Sequence, residues 1–230
     1  MKKRNNDVKE RISVVDPNAT YCHVLGCKNP PTAKTGKGLN KLYCRKHEDH
    51  FERHGSYFKN SYTASQISPY RKAALKWMKA HKNDFFVSNA ILKVETLYRN
   101  AGKHIDAFRL RGLNPQERAK AAWARLREKN VDPCIPLSIW LAIELISMAD
   151  PQAEKKAEYK WVQAAKIIHR QASGSHKKWE QERSDGRIRT VELHKYPASR
   201  GLVLRYIGKQ LEKTSELIVD HHIKDIFKLF

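Results

Sequence analysis

The sequence predicts a mostly α-helical protein with a small N-terminal module, made of a knuckle, a hairpin and a short helix, and a short C-terminal strand or hairpin element. Three observations support this fold class: a Cys/His cluster at metal-ligand spacing, apolar residues at helical spacing after residue 70, and alternating residues over 186–196. We expect four parts, namely a basic flexible arm (1–19), the module (20–57), a linker (58–69) and a basic, mainly helical domain (70–230).

The N-terminal cluster has the pattern C-x4-C-x16-C-x2-H and consists of Cys22, Cys27, Cys44 and His47. Thiolate and imidazole are the ligands that structural zinc prefers, and two close pairs joined by a loop allow one short segment to surround the ion. Turn residues over 26–38 fit a knuckle followed by a hairpin. The sequence therefore predicts one bound Zn²⁺.

Other interpretations of the cluster concern its fourth ligand and its cysteines. His23, His50 and His54 are possible substitutes for His47, but the tight C-x2-H pair favours His47. A disulfide is less well supported because the polar, basic N-terminus does not resemble a signal peptide. The cysteines could also be separately buried, but three of the four in the chain fall within 23 residues.

The zinc cluster lies within a longer pattern. Cys22-His23-Val24-Leu25-Gly26-Cys27 is followed by Leu42-Tyr43-Cys44-Arg45-Lys46-His47 and then by Phe51-Glu52-Arg53-His54-Gly55. Residues 22–57 resemble a small zinc-binding module of phage and mobile-element proteins, often the N-terminal part of HNH-type homing endonucleases. The resemblance implies a zinc-stabilised module that is associated with nucleic acid.

The net charge is high and evenly distributed. The chain has 45 Lys and Arg against 24 Asp and Glu, a formal charge of +21, and each third of the chain contributes +7. Such a charge indicates a polyanionic partner, either DNA or RNA, and its even spread favours a subunit embedded in a nucleoprotein assembly with other protein subunits. The basic residues that we expect to contact nucleic acid are Lys2, Lys3, Arg4, Lys46, Arg53, Lys59, Arg71, Lys72, Arg118, Arg125, Arg187 and Arg189.

Membrane association is not expected. The most apolar stretch, residues 135–148, is shorter than the about 20 residues that cross a bilayer. We expect a cytoplasmic, nucleoid-associated protein of a prokaryotic or phage-infected cell.

Apolar periodicity predicts helices over residues 45–54, 70–81, 85–100, 115–129, 137–148, 151–173 and 199–230. The clearest start is a capping box in which Asn114 is the N-cap, Pro115 the first helical residue and Glu117 the third. The nearly continuous apolar run of 137–148 indicates a central helix with Trp140 and Ile143 inside.

Two groups of residues have side chains that occur in nuclease active sites. Asp220-His221-His222 has the residue types of an HNH nuclease, but too few residues follow it and the surrounding pattern is helical. Glu192 and Lys195 would lie on opposite faces of a strand, which does not suit joint activation of water by a metal. The sequence predicts no enzyme, but an accessory or structural subunit of a phage, transposon or defence nucleoprotein complex. The alternative is an HNH-like or other metal-dependent nuclease with degenerate motifs.

Overall fold

The structure is a computed structural model that describes residues 21–31, 34–35, 38–196, 198–199 and 201–230. The chain divides between Asn60 and Ser61 into two compact units. The predicted arm of residues 1–19 lies outside the described residues.

The N-terminal unit contains a two-stranded antiparallel hairpin and one helix. Strands β1 (Lys34–Thr35) and β2 (Gly38–Leu39) pair, and helix α1 (Arg45–His54) follows. Gly55 ends α1 in the left-handed conformation, with φ 76°, and its N–H donates to the carbonyl oxygen of Phe51. The predicted knuckle, hairpin and short helix are all present.

The C-terminal unit contains six α-helices and a second hairpin in its described residues. These elements are α2 (Ala64–Ala80), α3 (Phe85–Arg99), a 3-10 helix (Ala107–Gly112), α4 (Pro115–Glu128), α5 (Cys134–Ala149), α6 (Ala157–Ser173), β3 (Ser175–Glu182), β4 (Ile188–His194) and α7 (Leu202–Phe227). The prediction of a mostly helical fold with a hairpin near the C-terminus is confirmed.

Helix α5 lies at the centre of the core and packs against α2, α3, α6 and α7. Trp140 and Ile143 are fully buried, as predicted, and Cys134 is also buried. The long helix α7 contacts all five of the other α-helices of this unit. Because α5 is apolar over most of its length and α7 buries one broad face, together they bury the surface that stabilises the unit.

Helix α2 begins six residues earlier than the sequence predicts, so residues 64–69 are helical and do not belong to the linker. Thr63 caps the helix: its hydroxyl accepts from the N–H of Gln66, and the Gln66 side chain accepts from the N–H of Thr63. Pro69 lies inside the helix. It removes one backbone donor, and the helix continues past it to Ala80.

Three further helix starts differ from the prediction, and one of them is that of α7, which begins at Leu202 and not at residue 199. Helix α5 begins at Cys134, where Asp132 Oδ1 accepts from the Cys134 N–H at 2.8 Å, and Pro136 falls in the first turn, where its missing N–H is not needed. Helix α6 begins at Ala157 and not after Asp150. The Asp150 carboxylate accepts from the N–H of Gln152, which forms a turn in place of helix.

None of the helices among the described residues has both the length and the apolar character that are needed to cross a membrane.

Candidate metal centre and candidate nucleic-acid interface

The four predicted ligands lie together in the N-terminal unit. One ligand atom from each of Cys22, Cys27, Cys44 and His47 falls within 4.8 Å of all the others. His47 Nδ1 is 3.2 Å from Cys22 Sγ and 3.4 Å from Cys44 Sγ, and the Sγ atoms of Cys27 and Cys44 are 3.9 Å apart. These side chains are close enough to bind one metal ion, and within the described part of the chain they form the only such group of Cys, His, Asp and Glu.

The backbone positions the first pair of cysteines through a tight turn. The Cys27 N–H donates to the carbonyl oxygen of Val24, and Gly26 has a φ of 77° that the turn requires. The Cys22 N–H donates to the carbonyl oxygen of Asn29, which closes the knuckle. The first two thiols therefore lie on one side of a compact loop.

The second pair is positioned by helix α1. Cys44 is its N-cap residue, and the backbone N–H groups of His47 and Glu48 donate to the Cys44 carbonyl oxygen. Burial raises the pKa of the Cys44 thiol, but the N–H groups of His47 and Lys46 and the neighbouring thiols lower it by more. Its pKa therefore lies below the ordinary value, which favours the thiolate.

The pKa of His47 is shifted in the direction that favours metal binding. Burial lowers its pKa, and the positive charge of Lys46 lowers it further. A lower pKa favours the neutral imidazole, whose ring nitrogen can coordinate a metal.

The other three histidines near the cluster are not part of it. His50 Nδ1 donates to the carbonyl oxygen of Ser56 at 2.7 Å, and the His50 ring stacks on His54 with centroids 4.3 Å apart. His23 makes an edge contact with the ring of Tyr43. The preference for His47 over these residues agrees with the geometry.

A small aromatic stack supports the same unit. The rings of Tyr43 and Tyr57 are parallel with centroids 3.5 Å apart, and Phe51 stacks on the Tyr57 ring at 4.4 Å. Tyr43 precedes Cys44 and Phe51 lies in α1, so the stack fixes the helix relative to the chain that leaves it.

A cationic groove lies between α2 and α6 in the C-terminal unit, with a volume of about 740 Å³. Arg71 and Lys72 line it from α2, and Lys166 and Arg170 line it from α6. No carboxylate lines the groove, and among the described residues none of the four cations has an ion-pair partner. We call these four residues the cationic groove.

Two of the groove cations are partly withdrawn from water. Burial lowers the pKa of Lys166 to about 8, and its Nζ donates one hydrogen bond, to Ser61 Oγ at 2.7 Å. Burial also lowers the pKa of Arg71. Charges held in this way without a counter-ion would be stabilised by an anion in the groove.

Most of the other basic residues proposed from the sequence are accessible. The exposed ones are Lys46, Arg53, Lys72, Arg187 and Arg189, and the partly exposed ones are Lys59, Arg71 and Arg118. Lys2, Lys3 and Arg4 lie outside the described residues.

The prediction that Arg125 contacts nucleic acid is wrong, because this residue is buried. Only 2% of the residue is exposed, and its Nε donates to the carbonyl oxygen of Ala172 at 3.2 Å. Its guanidinium lies over the ring of Tyr196. The helical pattern of α4 predicts an outward-facing Arg125, but Ala172 and Tyr196, on either side of the hairpin, contact this side chain and cover it.

In the two candidate catalytic groups, His221, His222 and Glu192 all contact neighbouring side chains. His221 and His222 lie within α7, as their context predicts; the His221 ring stacks on Phe86, and His222 Nε2 is 3.2 Å from Asp84 Oδ1. Glu192 accepts a hydrogen bond from Ser175 and lies near Lys178 and His194.

Sequence reasoning missed Lys166 and Arg170 as candidate site residues. They are one helical turn apart on α6, at spacing i and i+4, and a search for basic pairs on predicted helices would have found them. Their position opposite Arg71 and Lys72 depends on the tertiary fold.

Comparisons of this chain with known protein families, with curated proteins and with solved structures give no match, so the fold and the two sites are interpreted from their own residues.

Proposed function

We propose that this protein binds nucleic acid and that a zinc ion stabilises its N-terminal unit. The observation that carries the proposal is the cationic groove, in which four basic side chains from two helices face a cavity without a carboxylate. The formal charge of +21 supports the same partner class.

The donor set supports zinc as the metal. Tetrahedral zinc with thiolate and imidazole ligands places sulfur atoms about 3.8 Å apart and sulfur and nitrogen about 3.5 Å apart. The corresponding distances here are 3.9 Å between two of the thiols and 3.2 and 3.4 Å between thiols and imidazole. Four protein ligands leave no open position, as in a structural site and not a catalytic one.

The groove chemistry supports a phosphate-containing polymer as the anion. Lys72 and Arg170 are exposed, so they can meet a phosphate that approaches from solvent, while Arg71 and Lys166 lie deeper. Arginine can bind phosphate oxygens through two parallel hydrogen bonds, and lysine acts as a point charge. A chain of phosphates would contact the exposed cations first and the withdrawn ones next.

The biological setting is proposed from the N-terminal residues. Because residues 22–57 resemble a zinc-binding module of phage and mobile-element proteins, we propose an accessory or structural subunit of a phage, transposon or defence nucleoprotein complex. The charge present throughout the chain supports a subunit that contacts nucleic acid over much of its surface.

Elemental analysis of the purified protein tests the metal. We expect one zinc per chain, retained by a Cys134→Ala variant, whose changed cysteine lies in helix α5 of the other unit, and lost from a Cys22→Ser/Cys27→Ser variant. Full metal content in the double variant would contradict the assignment.

Fluorescence anisotropy with labelled oligonucleotides tests the groove. The Lys72→Glu/Arg170→Glu variant should bind at least about tenfold more weakly than a matched Lys103→Glu/Lys120→Glu variant, which changes the charge equally at exposed positions outside the groove. Equal affinities for the two variants would show that the groove is not the binding surface. No binding by the wild-type protein at low salt would reject nucleic-acid binding itself.

A further inference from the structure

The hairpin of β3 and β4 has two chemically different faces. Its register pairs Trp179 with Val191 and Gln181 with Arg189, so odd-numbered residues of both strands share one face and even-numbered residues share the other. The alternation continues into the turn, where the N–H of Arg183 donates to the carbonyl oxygen of Arg187. A bulge between Ser175 and Lys177 ends this regular pattern at the base of the hairpin.

The first face has basic residues and no acidic residue; we call it the basic face. Its members are Lys177, Trp179, Gln181, Arg183, Arg187, Arg189, Val191 and Leu193. All are exposed except Val191, which is partly exposed. Among the described residues, none of the four basic side chains of this face has an ion-pair partner.

The opposite face has all the strand carboxylates. Its members are Lys178, Glu180, Glu182, Ile188, Thr190, Glu192 and His194. Here the charges interact with one another: Glu192 lies 4.0 Å from Lys178 Nζ and 3.7 Å from His194 Nδ1. All three strand carboxylates, Glu180, Glu182 and Glu192, lie on this face, so an anion on the basic face would meet no strand carboxylate.

Trp179 lies in the middle of the basic face and is 40% exposed. It makes no ring contact with the other described residues. Its neighbours on this face are Lys177 and Gln181 along β3 and Arg189 diagonally on β4. An exposed aromatic ring among unpaired cations matches the two needs of a single-stranded nucleic acid, a surface for base stacking and charges for the phosphates.

The helical unit holds the hairpin by its base, where the end of β4 is half-buried, and leaves β3 and the outer part of β4 in solvent. The N–H groups of Lys195 and Tyr196 donate to the carbonyl oxygens of Gly174 and Ser173, which extends the pairing to the end of α6. All of β3 is exposed. Residues 177–190 are all exposed, so this outer part of the hairpin is free to contact a partner.

We propose that the basic face binds single-stranded nucleic acid, with a base stacked on Trp179 and the neighbouring phosphates neutralised by Lys177, Arg187 and Arg189. This inference rests on the proposed nucleic-acid binding and adds the strandedness of the ligand and the surface that holds it. Stacking does not depend on base identity, so the contact is independent of sequence.

The test compares neighbouring residues on opposite faces. Anisotropy is measured with labelled oligo(dT) and oligo(U) from 50 to 200 mM salt for wild-type protein and for Trp179→Ala, Lys177→Ala and Lys178→Ala. All three side chains are exposed and outside the core, and circular dichroism checks that each variant is folded.

We expect three distinct outcomes. Trp179→Ala weakens binding about 5- to 150-fold and leaves the salt dependence unchanged, because stacking releases no counter-ions. Lys177→Ala reduces the slope of log affinity against log salt by about 0.7, the value for one phosphate on a single strand. Lys178→Ala, the control on the opposite face, has neither effect.

The results separate failure of this inference from failure of the proposed function. If the wild-type protein binds oligonucleotides but Trp179→Ala and Lys177→Ala behave as Lys178→Ala does, the basic face is not the binding surface. If the wild-type protein prefers a duplex of the same length, and Trp179→Ala binds that duplex with wild-type affinity, then the proposed stacking of a single-strand base on Trp179 is wrong. Absence of any wild-type binding would reject the proposed function as well.

Discussion

The guanidinium carbon of Arg125 lies 4.3 Å from the centre of the Tyr196 ring. Arg125 Nε donates to the carbonyl oxygen of Ala172, just before the hairpin, and Tyr196 follows the hairpin directly. One buried cation on α4 therefore holds both ends of the hairpin. Burial lowers the pKa of Arg125 to about 10, so it stays charged at neutral pH, and the ring face stabilises that charge.

This relationship predicts that the aromatic ring of Tyr196 contributes more to the stability of the C-terminal unit than its hydroxyl does. Tyr196→Ala should destabilise the C-terminal unit by about 3 to 5 kcal/mol, because it opens a cavity and leaves a buried charge without its partner. Tyr196→Phe loses only the 2.7 Å hydrogen bond between the hydroxyl and His104 Nε2, and should cost about 1 kcal/mol. Urea denaturation measures both values, and equal losses would contradict the role of the ring.

The second prediction concerns Gly208 of α7, whose substitution should destabilise the unit because α6 lies very close to it. A Cβ on Gly208 would lie 2.6 Å from the carbonyl oxygen of Trp161 and closer still to its Cα and Cβ. Because backbone atoms cannot move aside, Gly208→Ala should destabilise the unit by about 3 kcal/mol or more. Gly112→Ala is the matched control, since a Cβ there meets no atom within 4 Å, and thermal denaturation should show little change for it.

The sequence predicts the parts of the fold that depend on local signals. The capping box at Asn114 and Glu117 predicts the start of α4, and the apolar run of α5 predicts its burial. The start of α2 has an equally local signal in Thr63 and Gln66, but the predicted linker extends to residue 69, which is a proline. Pro69 is in fact compatible with the helix, and the capping box decided where it began.

Strand β3 could not be predicted from hydrophobic alternation. Its segment has one large apolar residue, Trp179, and no β-branched residue, because neither face is buried. The turn offered the better signal, since Asp185-Gly186 is a pair that is common in hairpins and Gly186 adopts a φ of 74°. The metal cluster was predictable from spacing alone, whereas the cationic groove required two helices that are distant in sequence.

Removal of the metal should unfold the N-terminal unit selectively. Its described residues contain one short hairpin and one helix of ten residues without a fully buried side chain, so we expect a metal ion bound by the Cys/His cluster to supply much of its stability. We expect Cys44→Ser, or treatment with a strong chelator, to make this unit sensitive to protease while residues 61–230 stay protected.

Hydrogen exchange with mass spectrometry provides the measurement, read separately for peptides of the two units. The Cys134→Ala variant serves as a control because its residue lies in α5. Unchanged protection of residues 45–54 after complete metal removal would show that the unit folds without the ion.

The partly buried charge of Lys166 should lower the folding stability of the protein at neutral pH while it contributes to nucleic-acid binding. Its pKa is lowered from its ordinary value to about 8, so between pH 8 and about 10.4 the unfolded chain binds the proton that the folded chain has released. The stability contribution of Lys166 therefore rises with pH across that window and is least favourable below pH 8. Lys166→Met should stabilise the protein by about 1 kcal/mol at pH 7, after allowance for solvent screening.

The gain should shrink as the pH rises from 8 to 10, and nucleic-acid binding should weaken at pH 7 because a groove cation is lost. Urea denaturation at several pH values and anisotropy at pH 7 measure these effects, with Lys76→Met as a control at an exposed position of α2. A loss of stability in Lys166→Met at pH 7 would show that its hydrogen bond to Ser61 outweighs the cost of burying the charge.

The last prediction is that the protein does not cleave nucleic acid by itself. His222 Nε2 contacts the Asp84 carboxylate at 3.2 Å, and that carboxylate also accepts from the N–H groups of Phe86 and Val87 at the start of α3. His221 stacks on Phe86 at 3.9 Å, so both histidines join α7 to α3. A hydrolytic metal site needs ligands with an open coordination position, and these side chains already have packing partners.

We expect no cleavage of supercoiled DNA, single-stranded DNA or structured RNA with Mg²⁺ or Mn²⁺. Cleavage that is lost in a His221→Ala/His222→Ala variant with an unchanged circular dichroism spectrum would instead assign nuclease activity to this pair.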